Sequence, residues 1–241
     1  MLPYNKSVII IPTYNEAENI EKMTSALLGQ YQGLSLLIID DGSPDGTANI
    51  VKKMQKIYPT LHLIERGKKL GIGTAYIAGF NWALKNGYEF IFEMDCDFSH
   101  SPQDIPRLLE AAQTADLVIG SRYVDGISIV NWPMKRLLLS YCASIYTRFL
   151  TGIPVKDTTG GFKCFKKTAL ESLNFDKIIS NGYSFQLEVN YKIWSKGLQI
   201  KEVPIIFYER RNGQSKMDKS IIFEALFAVF FLRLRRVFGI L

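Results

Sequence analysis

Residues 95–97 read Asp-Cys-Asp at the end of an apolar run, Phe90 to Met94, so two carboxylates sit one residue apart where a buried strand meets a turn. Like charges that close raise each other's pKa unless a cation lies between them. One reading is a solvated turn ahead of the helix that Pro102 opens. The other is a hard-metal site, in which Mg2+ or Mn2+ takes carboxylate oxygens together with the phosphates of a bound substrate. Two more polar clusters follow apolar runs. "PTYNE" supplies Pro12, Tyr14, Asn15 and Glu16, and "IDDGSPDGT" supplies Asp40 and Asp41. Each alone is a turn before a capped helix, with Asp45 and Thr47 as capping residues. Together, a ring, a carboxylate for ribose or base and an acidic pair for a metal describe a site for a nucleoside diphosphate.

The elements that must position these residues are legible as alternation. "SVIIIP", "LSLLIID", "LHLIE", "YEFIFEMD" and "DLVIG" are short apolar runs, separated by helical patterns over Glu16–Gln30, Thr47–Tyr58, Thr74–Asn86 and Gln103–Thr114. Continuous apolar strands alternating with helices predict an α/β fold with a mostly parallel central sheet flanked by helices on both faces. In such sheets ligands bind beyond the carboxyl ends of the strands, where all three polar clusters fall. "GKKLGIGTAYIAGF" carries Gly67, Gly71 and Gly73 but no Lys-Ser or Lys-Thr pair, so it is neither a P-loop nor a dinucleotide fingerprint. Gly71 and Gly73 either turn N–H groups toward phosphate or satisfy backbone geometry.

After residue 124 the alternation breaks. "IVNWPMKRLLLSYCASIYTRFLTG" reads as a loop and then an apolar helix bearing Lys135, Arg136 and Arg148, either a core helix or an interfacial one. "YERRNGQSKMDK" reads as a mobile loop. The last stretch, 220–241, places about a dozen mostly apolar residues before Arg233, Arg235 and Arg236. That is too few for a bilayer, which needs about 20. It is either a docked terminal helix or an amphipathic one lying at a membrane surface.

An apolar fraction of 47% over 241 residues supplies a full core for one large domain. Cys96, Cys142 and Cys164 form no spaced pair, so neither a disulfide framework nor a zinc site is indicated, and a reducing, cytoplasmic setting is expected. The start, "MLPYNKSVIIIP", lacks the features of a signal peptide. A net charge of +6 favours an anionic partner. Nucleic acid is not that partner, because no basic-aromatic motif of the usual modules appears.

"PTYNEAENI", "IDDGSPDGT", "MDCDFSH", "GSRYVDG", "DTTGGFKCF" and "PIIFYERRNGQSK", in that order, resemble the family-2 glycosyltransferases of GT-A fold, and within them the polyprenol (dolichol) phosphate mannose synthases. The resemblance spans about residues 6 to 220. It implies a catalytic domain over 1–219 that moves mannose from GDP-mannose to a polyprenyl monophosphate, with Mg2+ or Mn2+, at the cytoplasmic face of a membrane. A separate membrane-anchoring subunit is not specified. By the resemblance, Pro12, Tyr14, Glu16, Ile39 and Asp41 hold the nucleoside. Asp95, Cys96 and Asp97 line the diphosphate, and Asp95 and Asp97 hold the metal, with Asp97 the principal ligand. Some members carry glutamine where this chain has Ser99, so water is expected to replace a direct ligand there. Arg122, Arg210 and Lys216 are placed near the transferred sugar and the acceptor phosphate, with Asp157 also on the acceptor side; Gln186 and Glu188 fall in a further motif.

Chemistry supplies a test of that assignment. A phosphate acceptor has a second pKa of about 6, so at neutral pH it is already an oxyanion and needs cations rather than a base. A sugar-hydroxyl acceptor needs a carboxylate base, for which Asp157 is the candidate. The rival readings are a UDP-sugar donor on the same fold, with a polyprenyl phosphate or saccharide acceptor, and a non-catalytic nucleotide-binding subunit.

Overall fold

The computed structural model describes residues 2–180, 182–209, 229–231 and 233–234. The expected alternation builds β1 (Ser7–Thr13), α1 (Ile20–Gln30), β2 (Ser35–Asp40), α2 (Thr47–Met54), β3 (Leu61–Glu65), α3 (Ile72–Lys85), β4 (Phe90–Glu93), α4 (Ile105–Ala112) and β5 (Leu117–Ser121). All five expected strands and four expected helices are present. The ends differ where local turns win: α1 starts at Ile20 because Glu16 to Asn19 close a tight turn, the Glu16 carbonyl accepting from the Asn19 and Ile20 N–H groups.

Beyond Ser121 come β6 (Ile129–Val130), α5 (Met134–Thr151), β7 (Lys163–Lys166), α6 (Lys167–Glu171), α7 (Tyr183–Ser195), β8 (Ile200–Pro204) and β9 (Phe207–Tyr208). The main sheet runs β3-β2-β1-β4-β7-β5-β8, and β6 pairs with β9 in a small second sheet. Every main-sheet strand is parallel to its neighbours except β7, which is antiparallel to both β4 and β5. The sequence gives little sign of β7, because "KCFK" is four residues long with a lysine at each end.

Strand alternation sorts the core into two layers. Ile9, Ile11, Leu36, Ile38, Phe90 and Phe92 face α1, α2 and α4, whereas Val8, Ile10, Leu37, Ile39 and Ile91 face α3, α6 and α7. With both faces covered, the central runs of β1, β2 and β4 are apolar, and polar clusters gather just beyond their carboxyl ends, where the backbone leaves the sheet. That edge holds the site.

Candidate active site

At the carboxyl ends of β1 and β2 the two loops are stitched together. Asn15 N donates to Ser43 Oγ, Glu16 N to Thr47 Oγ1 and Ala17 N to Asp45 Oδ2, each at 3.0 Å. Tyr14, Asn15 and Glu16 therefore stand on a braced turn, with Asn15 held at φ 62° and Glu16 accepting from the Asn19 amide. Lys69 Nζ lies 4.6 Å from the centre of the Tyr14 ring, bringing the glycine-bearing loop before α3 against the first cluster.

The adjacent aspartates of "IDDG" do different work. Asp40 accepts from Ser43 N at 2.8 Å, Ser43 Oγ at 2.6 Å and Thr13 Oγ1 at 3.1 Å, so it builds the turn. Asp41 pairs with Arg66, whose Nε lies 2.6 Å from Oδ1, and accepts from Leu70 N at 3.2 Å. Arg66 also donates to Thr74 Oγ1 and the Gly71 carbonyl. Ile39, expected beside the nucleoside, has its side chain fully buried in the α3-side core; it supports the strand rather than lining the opening.

Gly42 makes the close approach of these loops feasible. It sits at φ +74°, and a Cβ there would lie 2.8 Å from the carbonyl carbon and oxygen of Gly67. Gly42→Ala is expected to cost about 1–2 kcal/mol for the left-handed backbone and about 1–3 kcal/mol for overlap. A lowered urea midpoint at unchanged slope checks this.

The acidic turn is well ordered by its neighbours. Asp97 Oδ1 accepts from Ser99 N at 3.0 Å and from the Ser99 hydroxyl. Ser99 is buried and thus orients the carboxylate from behind. Phe98, at φ 60°, reverses the chain. His100 Nδ1 accepts from Asp95 N at 3.4 Å, while its ring stacks on Phe162 with centres 5.1 Å apart. Burial pushes the His100 pKa down to about 4, so its imidazole is neutral near pH 7. Cys96 is buried and its thiol is pushed well up by desolvation.

Among the described residues no three His, Cys, Asp or Glu side chains converge as a complete metal cage. The donor set still suits a hard divalent cation. Mg2+ and Mn2+ favour oxygen ligands, and Mg2+ commonly takes one or two carboxylates and fills its shell with water and substrate phosphate. Asp95 and Asp97 offer that pair.

At the end of β5, Arg122 and Asp157 form a bidentate pair, Nε to Oδ2 at 2.7 Å and Nη2 to Oδ1 at 2.6 Å. Arg122 N adds a third bond to Oδ2 at 2.9 Å, and Nη2 reaches Thr159 Oγ1 at 2.8 Å. The guanidinium lies among the rings of Tyr123, Trp132 and Phe207, its carbon 5.2–5.6 Å from their centres. Burial alone would raise the Asp157 pKa; the charge and hydrogen bonds of Arg122 outweigh it and hold the carboxyl below its usual range. A fully buried carboxylate committed to an arginine is a poor general base. Arg210 and Lys216, the other two expected cations, lie outside the described residues, as does most of the 208–219 loop.

The sequence profile described as glycosyl transferase family 2 matches residues 8–173, more than half of the chain. The chain belongs to glycosyl transferase family 2. Two curated relatives align over nearly its whole length. Polyprenol monophosphomannose synthase of Mycolicibacterium smegmatis is 42% identical over 94% of this chain and 86% of its own. Undecaprenyl-phosphate mannosyltransferase of Micrococcus luteus is 43% identical over 90% and 89%. Among solved structures, glucosyl-3-phosphoglycerate synthase from Mycobacterium tuberculosis bound to UDP superposes with a TM-score of 0.69 at 17% identity, covering 94% of this chain and 79% of that one. The same enzyme has been solved with Mn2+, UDP and glucosyl-3-phosphoglycerate, at a TM-score of 0.67 and 19% identity over the same shares. At such identity the likeness shows the shared GT-A fold.

Within this family-2 glycosyl transferase, Gln186 and Glu188 of the "YSFQLE" motif bond to neighbouring elements. Glu188 accepts from Ile179 N and Ser180 N and pairs with Lys192 at 2.7 Å. Gln186 accepts from Lys163. Three charged residues near the strand ends escaped the sequence reading: Arg66, Glu93 and Lys163. Burial pushes Glu93 up to about 7 and Lys163 down to about 8. The signal available for the last two was a charge interrupting an apolar run, in "FIFEM" and "GFKCF".

Proposed function

We propose that the protein is an inverting, metal-dependent mannosyltransferase that moves mannose from GDP-mannose to a polyprenyl monophosphate. The observation that carries this reading is the 42–43% identity, over at least nine-tenths of the chain, to two enzymes named for joining mannose to a polyprenyl phosphate. The site chemistry agrees with it. The carboxylate that a sugar-hydroxyl acceptor would need, Asp157, is sealed against Arg122, and a phosphate acceptor needs no base.

In this reading Tyr14, Glu16 and Asp41 hold the nucleoside, with Pro12 and Ile39 framing the strand ends beneath them, and Cys96 packs under the diphosphate. Asp97, oriented by Ser99, and Asp95 hold Mg2+ or Mn2+. When bound, the ion neutralises charge on the departing diphosphate. Because Asp157 cancels the charge of Arg122, that arginine supplies directed N–H groups, and Arg210 and Lys216 supply the net positive charge that lets two phosphorylated substrates approach. The acceptor oxygen then displaces the diphosphate in one step at the anomeric carbon.

The decisive assay incubates the protein with polyprenyl phosphate, Mg2+ or Mn2+ and, separately, labelled GDP-mannose, UDP-glucose, UDP-galactose and UDP-N-acetylglucosamine, and counts label in the organic phase. Metal-dependent label from GDP-mannose alone is the expected result. Label from a UDP-sugar instead would reassign the donor, and none from any donor would favour a saccharide acceptor or a non-catalytic role.

A lipid acceptor also requires access to a membrane surface from the cytoplasmic side. No helix among the described residues is long and apolar enough to cross a membrane. In α5, however, Met134, Leu138, Tyr141, Ile145 and Phe149 are exposed, Phe149 to 86%. Their spacing of three and four residues makes one stripe, flanked by Lys135 and Arg148, and it serves in this reading as a peripheral docking face. Burying a leucine or phenylalanine is worth about 1.5–3 kcal/mol. Leu138→Ser with Phe149→Ser should therefore lower sedimentation with anionic vesicles by at least about tenfold, while donor-nucleotide binding stays unchanged. Sedimentation at the wild-type level would remove α5 from the docking face.

A further inference from the structure

Beneath the acidic turn, on the α3–α7 side of the sheet, a small set of polar side chains is sealed from solvent. Glu93 ends β4 and Lys163 begins β7, and the two are register partners across the antiparallel pair. Both are fully buried, with Lys163 Nζ 3.9 Å from a Glu93 carboxylate oxygen. That distance allows charge attraction but is too long for a hydrogen bond. Lys163 Nζ instead donates to the Gln186 side-chain oxygen and, at 3.4 Å, to the Gln186 carbonyl. The Gln186 side chain also lies near enough to the Glu93 carboxyl to favour its charged form, and among the described residues the buried Tyr76 hydroxyl has no hydrogen-bond partner.

This arrangement is a poor way to stabilise a sheet. Two charges lose their hydration, and replacing such a pair with packed apolar residues is often neutral or stabilising. Two residues back on β4, its neighbour Ile91 pairs with Phe165 and fills the same layer with carbon. The pair's return lies in its location. Because β7 runs against β4, its first residue abuts the last residue of β4, two positions before Asp95. The segment leading into β7 carries Asp157, which anchors Arg122, and Lys163 lies within electrostatic reach of Asp157. Phe162, one residue before Lys163, accepts from Gly120 N at 2.8 Å and stacks on His100, which meets the Asp95 backbone.

We infer that Glu93 and Lys163 are positioning residues: a cross-strand clamp that fixes the acidic turn relative to the Arg122–Asp157 half of the site. Metal, donor and acceptor phosphate are thereby held at one separation. The inference rests on the transferase reading given above, with the clamp acting through Asp95 and Asp97 rather than touching substrate itself. Lys163, held by Gln186 to α7, fixes the β7 side, and the attraction of Glu93 to it fixes the β4 side.

The test is the uncharged, near-isosteric double variant Glu93→Gln/Lys163→Met, with Glu93→Met/Lys163→Met as a second version should the first fail to fold. Three quantities are read: melting temperature, Mn2+-dependent affinity for GDP and for UDP, and kcat. The clamp predicts a melting temperature within about 3 °C of wild type, with nucleotide affinity and kcat each lowered by about tenfold or more. Wild-type affinity and kcat in a folded double variant would overturn it. So would affinity and kcat that fall only in step with melting temperature in both versions, the mark of a purely structural pair. A wild-type protein that binds nucleotide but transfers no mannose would defeat the donor reading, while the affinity comparison would still decide the clamp.

Discussion

Asp97→Ala is expected to lower kcat by about 100- to 1,000-fold, the range found when one preorganised stabiliser of transition-state charge is removed. The reason is local. Asp97 is the carboxylate that Ser99 orients from two directions, through its N–H and its hydroxyl, and it shares the turn with Asp95. In the proposed site a divalent ion would then keep one protein carboxylate, and the diphosphate would leave against less positive charge. Ser99→Ala keeps the ligand and loses one of its two orienting bonds, so a smaller loss of about tenfold is expected. Initial rates over a Mn2+ titration separate the two. Asp97→Ala stays slow at saturating metal, and Ser99→Ala is partly restored. An Asp97→Ala enzyme that turns over at the wild-type rate would remove the acidic turn from catalysis.

Asp157→Asn carries the second large effect, on stability. It leaves the shape nearly intact and strands the buried charge of Arg122, 7% exposed, without its bidentate partner. Breaking a buried pair on one side costs about 3–5 kcal/mol, a fall of roughly 6–20 °C in melting temperature for a chain of this size. The pH dependence has a definite sign. The folded-state pKa of Asp157 lies below the ordinary value, so its contribution is present above the unfolded carboxylate range and is lost as pH falls through the folded value. Asp157→Asn should therefore also flatten the acid limb of the stability curve. Arg122→Met with Asp157→Met should recover much of the stability, because neither charge remains unpaired, and should not recover turnover. A single variant as stable as wild type would mean that the pair is solvated in solution.

The sequence by itself determined the layout and the location of the site. Apolar runs such as "SVIIIP" and "LSLLIID" have no polar side until they end, which only a sheet covered on both faces satisfies. The polar clusters at their carboxyl ends then have to meet at one edge. The six motifs in order sufficed for the family, since membership depends on residue types at short spacing. The division of labour within each motif depended on the tertiary structure. Asp40 and Asp41 are chemically identical neighbours, and only the positions of Ser43 and Arg66, three and 25 residues on, make one a turn-builder and the other an ion-pair partner. Asp157 reads as a free base until Arg122, 35 residues earlier, closes on it. The antiparallel β7, with Lys163 opposite Glu93, is too short and too charged to announce itself. Its place is set by the gap between β4 and β5, and burial and pairing across such distances are properties of the packed sheet rather than of local sequence pattern.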